Sequence, residues 1–223
     1  MSFLRFKKDQ KYLVWDKETA SLNLLNSPDP INLPWQLGWQ VYEGNKLIES
    51  HEDWIWWDDL IDKMGKGAAE LTGFDEEVYK AKAKDPLPIF ERFTKYLYDP
   101  SVINVGANII NFDNYIFDIF ARRVGRAAEN TWDWVKRSYD IQVVEKGIFL
   151  QQGFPPIGTD EWLFNSYKLS GFHQKGLKTS LAHLCKVYGI EYNEMRHHRE
   201  SAYDSQLVFN IFEKQLFKVD IGI

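Results

Sequence analysis

Hydrophobic and polar positions follow two different periods along this chain, and together they predict an α/β fold. Short apolar runs rich in β-formers predict strands at residues 12–15, 35–42, 47–54 and 101–105, with a hairpin turn at 43–46. Apolar stripes at helical spacing predict helices at residues 58–71, 87–98, 113–124, 177–188 and 201–216. A hairpin followed by alternating strands and helices predicts a mixed sheet flanked by helices.

Two stretches have weaker patterns. Residues 132–141 fit a strand that leads into a short helix. The stretch 151–176 contains Pro155, Pro156 and several glycines, and it predicts an irregular insertion that starts at about residue 147. No repeat or linker divides the chain, so residues 1–223 are expected to form a single domain.

The composition is that of a globular protein with a modest excess of acid. The chain has 27 Lys and Arg residues against 32 Asp and Glu residues, a net charge of −5. This balance argues against holding nucleic acid by bulk positive charge, but not against an enzyme that places metal ions between carboxylates and a phosphate. The single cysteine, Cys185, excludes an intramolecular disulfide and a cysteine-rich zinc scaffold. The chain has no apolar run of about 20 residues and no secretory pattern in residues 1–8, so a cytoplasmic protein without membrane contact is expected.

Carboxylates occupy positions where the periodicity places a core. Side chains alternate along a strand, so Tyr12, Val14, Asp16 and Glu18 project to one side. The strand therefore ends with two like charges close together, which is costly unless a cation or a proton neutralises them. Taken alone, this Asp-x-Glu pair is explained more simply as a solvated turn.

Two further acids precede apolar helical stripes. Asp113 lies three and four residues before Ile116 and Phe117, and Asp204 has the same spacing to the stripe of the last predicted helix. For Asp113, a helix N-cap and an inward-facing acid have equal weight. A lone buried carboxylate is costly, whereas several converging ones suit a hard cation such as Mg²⁺. The four acids together therefore predict a metal site.

A pair of histidines precedes Asp204. The sequence Arg196-His197-His198-Arg199 lies in a loop that enters the last predicted helix. A histidine there is suited to take the proton of an attacking water, because its pKa lies near neutrality. The remaining histidines fit isolated surface residues; they are His51, His173 and His183.

The order of these residues resembles the DEDDh (DnaQ-like) 3′–5′ exonucleases, which have a ribonuclease H-like fold. The shared order is Asp-x-Glu after the first strand, Asn-x₄-Asp entering a mid-chain helix, and His before the final Asp. Flanking stretches that are also similar to the family are residues 16–22, 35–38, 69–74, 108–113 and 180–190. The resemblance covers about residues 11–215 and implies an α/β fold with a ribonuclease H-like mixed five-stranded sheet flanked by helices.

The sequence departs from the family pattern at two places. Ser21 stands where the first motif of the family usually has Gly. The family usually places its His five residues before the final Asp, and Arg199 occupies that position. We prefer His198 as the general base, with His197 as the second choice, because a pre-helical loop absorbs one extra residue easily.

The resemblance implies a metal-dependent exonuclease that removes nucleoside 5′-monophosphates from the 3′ end of single-stranded nucleic acid, DNA being favoured over RNA. Asp16, Glu18 and Asp204 would hold one Mg²⁺ or Mn²⁺, Asp16 would bridge to a second ion roughly 4 Å away, and Asp113 would help through bound water. Together with His198 these acids are the expected catalytic residues.

Four residues beside the proposed ligands are expected to contact the substrate: Thr19, Leu22, Asn108 and Phe112. Five basic residues fit phosphate contacts and a solvated face equally well: Arg122, Arg123, Arg126, Lys175 and Lys178. Three alternatives stay open: a non-catalytic nucleic-acid-binding module, a structural or interaction protein with incidental acids, and a proofreading subunit with a separate polymerase partner. A homodimer is also compatible with the sequence.

Overall fold

The computed structural model describes residues 9–24 and 32–219. Residues 1–8, whose sequence lacks a secretory pattern, lie outside the described residues. None of the helices in the described ranges has the length and apolarity that a membrane span requires.

One mixed sheet of five strands forms the centre of the described chain. The strands are β1 (Lys11–Thr19), β2 (Pro34–Glu43), β3 (Lys46–Trp54), β4 (Val102–Gly106) and β5 (Ser138–Asp140), in the spatial order β3-β2-β1-β4-β5. The pairs β1–β2 and β2–β3 are antiparallel, whereas β1–β4 and β4–β5 are parallel. This confirms the predicted α/β fold with a ribonuclease H-like mixed sheet flanked by helices.

The two faces of the sheet bury separate apolar clusters. Along β1, Leu13 and Trp15 pack with one cluster, and Tyr12 and Val14 pack with the other. The predicted alternation is therefore correct, and it places the side chains of residues 16 and 18 on the face of Tyr12 and Val14.

Nine α-helices cover the sheet within the described residues. They are α1 (Leu60–Lys63), α2 (Lys66–Thr72), α3 (Glu76–Lys82), α4 (Pro86–Leu97), α5 (Asp113–Arg123), α6 (Ile141–Phe149), α7 (Asp160–Ser170), α8 (Leu181–Tyr188) and α9 (Ser201–Leu216). Helices α4 and α5 contribute to the cluster of Trp15, and α8 and α9 contribute to the cluster of Val14.

The helix predicted at residues 58–71 is two helices, α1 and α2. The chain is extended at Met64 and Gly65 between them. The Gly65 N–H donates to the Ala20 carbonyl at 2.9 Å, which ties this break to the segment after β1. A tertiary contact therefore overrides the local helical pattern. Helix α3 was not predicted; the Asp75 side chain caps it by accepting from the Val78 N–H at 2.9 Å.

The predicted irregular stretch 151–176 contains helix α7, which corrects that prediction. The Thr159 hydroxyl accepts from the Trp162 N–H at 3.1 Å and starts the helix, and Trp162 is buried. Burial of this one large side chain stabilises a helix that has a weak apolar stripe. The helix predicted at 177–188 begins only at Leu181. Residues 133–137 form a 3₁₀ helix, followed by β5 and α6.

Candidate active site

The four predicted carboxylates lie together. One oxygen from each of Asp16, Glu18 and Asp204 lies within 4.8 Å of the other two. Asp113 lines the same cavity, which has a volume of about 600 Å³. Two of these acids end β1, the third begins α5 at the carboxyl end of the parallel strand β4, and the fourth lies in the first turn of α9.

Close packing of α9 on β2 brings Asp204 to Asp16. In the sheet register Gly38 is the partner of Asp16. A Cβ atom added at Gly38 would lie 2.0 Å from the Ser201 carbonyl carbon, so the start of α9 touches the strand backbone. The Ser205 hydroxyl donates to the Gly38 carbonyl at 3.0 Å. Only glycine permits this approach.

Asp113 is an inward-facing acid and not a helix cap. It is the first residue of α5, and the residue before it, Phe112, occupies the cap position. The Asp113 carboxylate is buried, and its Oδ1 atom has no hydrogen-bond partner among the described residues. Glu18 Oε1 is in the same situation. Two buried carboxylate oxygens without partners, beside two more acids, fit divalent cations, since Mg²⁺ and Mn²⁺ prefer oxygen ligands.

The electrostatics of the acid cluster agree with this fit. Burial raises the pKa of Asp16 well above its usual range, and the charges of Asp113, Glu18 and Asp204 raise it further. Burial also raises the pKa of Glu18 well above its usual range, and repulsion from Asp204 and Asp113 raises it further. The pKa of Asp113 is raised to about 6, mainly by burial. Cations bound here would stabilise the ionised carboxylates.

Lys17 is a neighbour of the acid cluster that the sequence did not single out. Its side chain is buried on the opposite face of β1, with Nζ 3.8 Å from the ring centroid of Trp15. The ammonium donates to the Asp113 carbonyl at 3.0 Å and so ties β1 to the start of α5. Burial lowers the pKa of Lys17 to about 7. The alternation of side chains along β1 could have predicted the face on which Lys17 lies. It could not have predicted the contact of Lys17 with α5.

The two histidines before α9 have different surroundings. His197 Nδ1 lies 2.9 Å from Asp204 Oδ1, whereas His198 reaches Asp204 Oδ2 through its backbone N–H at 3.0 Å. The His198 ring lines the cavity and has no hydrogen bond to another described residue. Burial lowers the pKa of His198, and the neighbouring His197 lowers it further. The charge of Asp204 acts in the opposite direction and raises this pKa.

The loop before α9 has an unusual backbone conformation. His198 has φ of 61°, in the left-handed region that a non-glycine residue adopts at a cost. Arg199 occupies the position at which the resemblance leads us to expect histidine, and it packs against Gly73. A Cβ atom added at Gly73 would lie 3.1 Å from Arg199 Nε. The structure thus brings both His197 and His198 to the cavity.

All four predicted substrate contacts line this same cavity: Thr19, Leu22, Asn108 and Phe112. Leu22 is 81% exposed, although large apolar side chains are most often buried. Leu71 of α2, also exposed, lines the cavity as well and was not singled out from the sequence.

Asp140, at the end of β5, organises one wall of the cavity and was also missed. Its buried carboxylate accepts from four backbone N–H groups. Oδ1 accepts from Asn108 (3.1 Å), Gln142 (2.9 Å) and Val143 (3.4 Å), and Oδ2 accepts from Ile110 (3.2 Å). It therefore caps α6 and at the same time holds the loop that leads to Asp113.

This fold is shared with solved structures of exonuclease I. One of them aligns with 93% of this chain and 40% of its own length, at a TM-score of 0.66 and 20% identity. E. coli exonuclease I with a dA16 oligonucleotide gives the same values. The chain has the fold of exonuclease I. The zinc-bound complex of the E. coli enzyme with single-stranded DNA shares this fold at a TM-score of 0.65 and 18% identity, over 93% of this chain and 40% of that one.

The chain spans less than half the length of the exonuclease I chains with this fold. No protein-family model matches the sequence, and a search of curated proteins finds no significant match.

Proposed function

We propose that residues 1–223 form one metal-dependent 3′–5′ exonuclease domain that acts on single-stranded nucleic acid, with DNA favoured over RNA, and releases nucleoside 5′-monophosphates. The observation that carries the proposal is the set of four carboxylates around one cavity, two of whose buried oxygens have no partner among the described residues. We expect the domain to act in the cytoplasm, since its one cysteine is a free thiol.

The acids divide between two cation positions. Asp16, Glu18 and Asp204 have oxygens close enough to share one ion. Asp16 would also face the second position, which Asp113 completes. When bound, two Mg²⁺ or Mn²⁺ ions would supply charge stabilisation for the attacking and leaving oxygens of a phosphodiester.

His198 is our choice for the general base. His197 Nδ1 already lies at hydrogen-bond distance from Asp204, so His197 is suited to orient that carboxylate. The ring of His198 has no such partner among the described residues, and its lowered pKa keeps it neutral and able to accept a proton near pH 7.

The apolar side of the cavity suits the terminal base. Leu22, Leu71 and Phe112 lie around the same space as the acids, and Asn108 offers a polar group beside them. Apolar and aromatic side chains of this kind contact unpaired bases without reading their sequence. Complexes of exonuclease I with single-stranded DNA, which have the same fold, agree with this class of substrate.

A product-resolved nuclease assay tests the function. Purified protein with Mg²⁺ or Mn²⁺ is given 5′-labelled single-stranded DNA and RNA of one length, with and without a chelator. We expect stepwise shortening from the 3′ end, faster on DNA, with 5′-monophosphates as products and no reaction in chelator. Intact substrate with either metal would refute the proposal and favour a non-catalytic binding module.

Variants test the assigned residues in the same assay. Asp113→Asn should abolish shortening, whereas Asp62→Asn, an exposed acid outside the cavity, should not. His198→Ala should lower kcat by about 10²- to 10⁴-fold, the usual contribution of a general base. A larger loss for His197→Ala than for His198→Ala would exchange their roles. If the domain is a proofreading subunit, it should degrade mispaired 3′ ends faster when its polymerase partner is added than when it is alone.

A further inference from the structure

A second cavity, of about 370 Å³, adjoins the acid cavity. Asn108 and Gln142 line both cavities, so the two spaces meet at one shared wall. The remaining lining comes mainly from α6 and from the segment between α7 and α8: Asn111, Lys146, Ser170, Phe172, His173, Gln174, Lys175, Leu177 and Thr179.

The charge of this second cavity is opposite to that of the acid cavity. Lys146 and Lys175 line it together with amides, two hydroxyls and His173, and no carboxylate is found among the described residues that line it. Lys146 is buried, and its Nζ donates to the Ser170 carbonyl at 2.7 Å. An ammonium has three N–H donors, so others are left for a ligand. In a chain of net charge −5, a polar cavity whose described lining has two lysines and no acid indicates an anionic ligand.

The shared wall is rigidly built. One oxygen of the Asp140 carboxylate accepts from the N–H groups of both Asn108 (3.1 Å) and Gln142 (2.9 Å). The backbone at these two residues is therefore held in place between the proposed metal ligands on one side and the lysines on the other. A chain that leaves the acid cavity across this wall enters the second cavity.

The three arginines that the sequence offered as possible phosphate contacts form ion pairs with carboxylates. Arg122 pairs with Asp118 at 2.8 Å, Arg123 with Asp59 at 2.6 Å. Arg126 pairs with Glu91 at 2.9 Å and with Glu129 at 3.0 Å. Of the two lysines in the same group, Lys175 lines the second cavity and Lys178 does not.

We propose that the second cavity binds the phosphodiester backbone of the substrate on the 5′ side of the nucleotide being removed, with Lys175 and Lys146 contacting phosphate. This rests on the proposed function, since it assumes that the acid cavity holds the 3′ end. The cavity then gives the enzyme a preference for substrates of several nucleotides. The contacts are to phosphate, so DNA and RNA share them.

The chain provides a matched pair of variants for the test. Lys175 and Lys178 are both exposed and lie three residues apart, yet only Lys175 lines the cavity. Binding of fluorescent dT10 and rU10 to the wild type, Lys175→Gln and Lys178→Gln is measured by anisotropy over a range of salt concentrations, in chelator. We expect Lys175→Gln to weaken binding of both oligonucleotides about fivefold to tenfold at low salt, as for the loss of one hydrogen bond of ordinary strength.

Two further readouts separate a phosphate contact from a general loss of structure. Loss of one contact should reduce the slope of log affinity against log salt by about 0.7 for a single strand. With metal present, the ratio of kcat/KM for a ten-nucleotide substrate to that for a dinucleotide should fall for Lys175→Gln and stay at the wild-type value for Lys178→Gln. Equal behaviour of the two variants would overturn the proposal. Inorganic phosphate at millimolar concentration should compete with dT10 only weakly; complete displacement would indicate a site for free anions.

The outcomes also separate this inference from the proposed function. Binding that depends on Lys175 without hydrolysis would uphold the cavity and refute the nuclease. Hydrolysis that is unchanged in Lys175→Gln would uphold the nuclease and refute the cavity proposal. Absence of oligonucleotide binding by the wild type would refute the cavity proposal, and absence of hydrolysis with metal would refute the nuclease.

Discussion

At the scale of single residues, Asp16 shows how the cluster of acids costs stability. Its pKa is raised above 3.8 in the folded protein by burial and by three neighbouring acids. The folded state therefore binds the proton of Asp16 more tightly than the unfolded state does. By linkage, this group lowers the free energy of unfolding as the pH rises from about 3.8 through its folded pKa, and the full cost is present above that pKa.

Asp16→Asn removes this cost when no cation is bound. We expect the variant to have a higher Tm than the wild type in chelator at pH 8, with a smaller difference at pH 5, because the wild-type carboxyl is then more protonated. Mn²⁺ should raise the Tm of the wild type but not that of Asp16→Asn. Differential scanning fluorimetry measures both effects.

The control for this prediction is Asp62→Asn, which changes the same charge at an exposed position of α1. It should leave the response to Mn²⁺ as in the wild type. A lower Tm for Asp16→Asn than for the wild type in chelator would contradict the electrostatic account.

At the scale of elements, the loop before α5 depends on a residue from another strand. Asp140 is close to Asn108 and Ile110 in space but about 30 residues away along the chain, as the separations of 32 and 30 show. Its carboxylate fixes the backbone that carries Asn108, whose φ of 60° is in the left-handed region. The position of Asp113 at the cavity follows from this loop.

Asp140→Asn should therefore be more damaging than an ordinary cap replacement. The amide NH₂ of Asn would replace one of the two carboxylate oxygens. It would then face either the Ile110 N–H or the other three N–H donors, and it cannot accept from them. We expect a loss of about 1–3 kcal/mol in the free energy of unfolding, the cost of a buried donor left without an acceptor. Urea denaturation followed by tryptophan fluorescence measures it.

Asp85→Asn is the matched control. Asp85 also caps a helix, α4, by accepting from the Leu87 N–H at 2.8 Å, but it is exposed and holds no second segment. Asn and Asp are equivalent caps, so this change should be nearly neutral. A similar loss in both variants would show that Asp140 acts as a cap alone.

At the scale of the whole molecule, the site depends on how closely α9 approaches the sheet. Asp16 belongs to the central strand and Asp204 to the last helix, and the contact at Gly38 sets the distance between them. The Gln40 amide strengthens this contact by donating to the Ala202 carbonyl at 3.3 Å.

Gly38→Ala places a methyl group into the backbone of Ser201, which cannot move aside as a flexible side chain would. We expect a loss of about 3 kcal/mol or more in the free energy of unfolding, at the upper end for overpacking, together with weaker Mn²⁺ binding in the folded fraction. Urea denaturation and calorimetric titration measure these.

Gly153→Ala serves as the comparison, since a Cβ there meets nothing within 4 Å. Ser205→Ala, which loses only the bond to the Gly38 carbonyl, gives a milder version if Gly38→Ala does not fold. Normal stability and Mn²⁺ affinity of Gly38→Ala would show that the approach of α9 is not required.

Much of the fold followed from local periodicity. The alternation along residues 12–18 and the helical stripe after Asp204 identified three inward-facing acids, Asp16, Glu18 and Asp204, because the direction of a side chain within one strand or helix is fixed by the backbone of that element. The breaks were predicted less well. Helix α7 depends on the burial of Trp162 against the sheet, and the gap between α1 and α2 depends on the bond from Gly65 to Ala20.

The sequence by itself predicted that Asp16, Glu18 and Asp204 point inward, since that property belongs to single elements, and it left Asp113 open between a helix cap and an inward-facing acid. Only the tertiary structure decided which groups surround them: that the His197 ring is hydrogen-bonded to Asp204 whereas His198 bonds to it through its backbone N–H, that Asp140 supports the wall, and that Lys175 and not Lys178 lines a cavity. These are contacts between residues on different elements or on a loop of unusual backbone conformation. They depend on the packing of the whole chain, which no local pattern encodes.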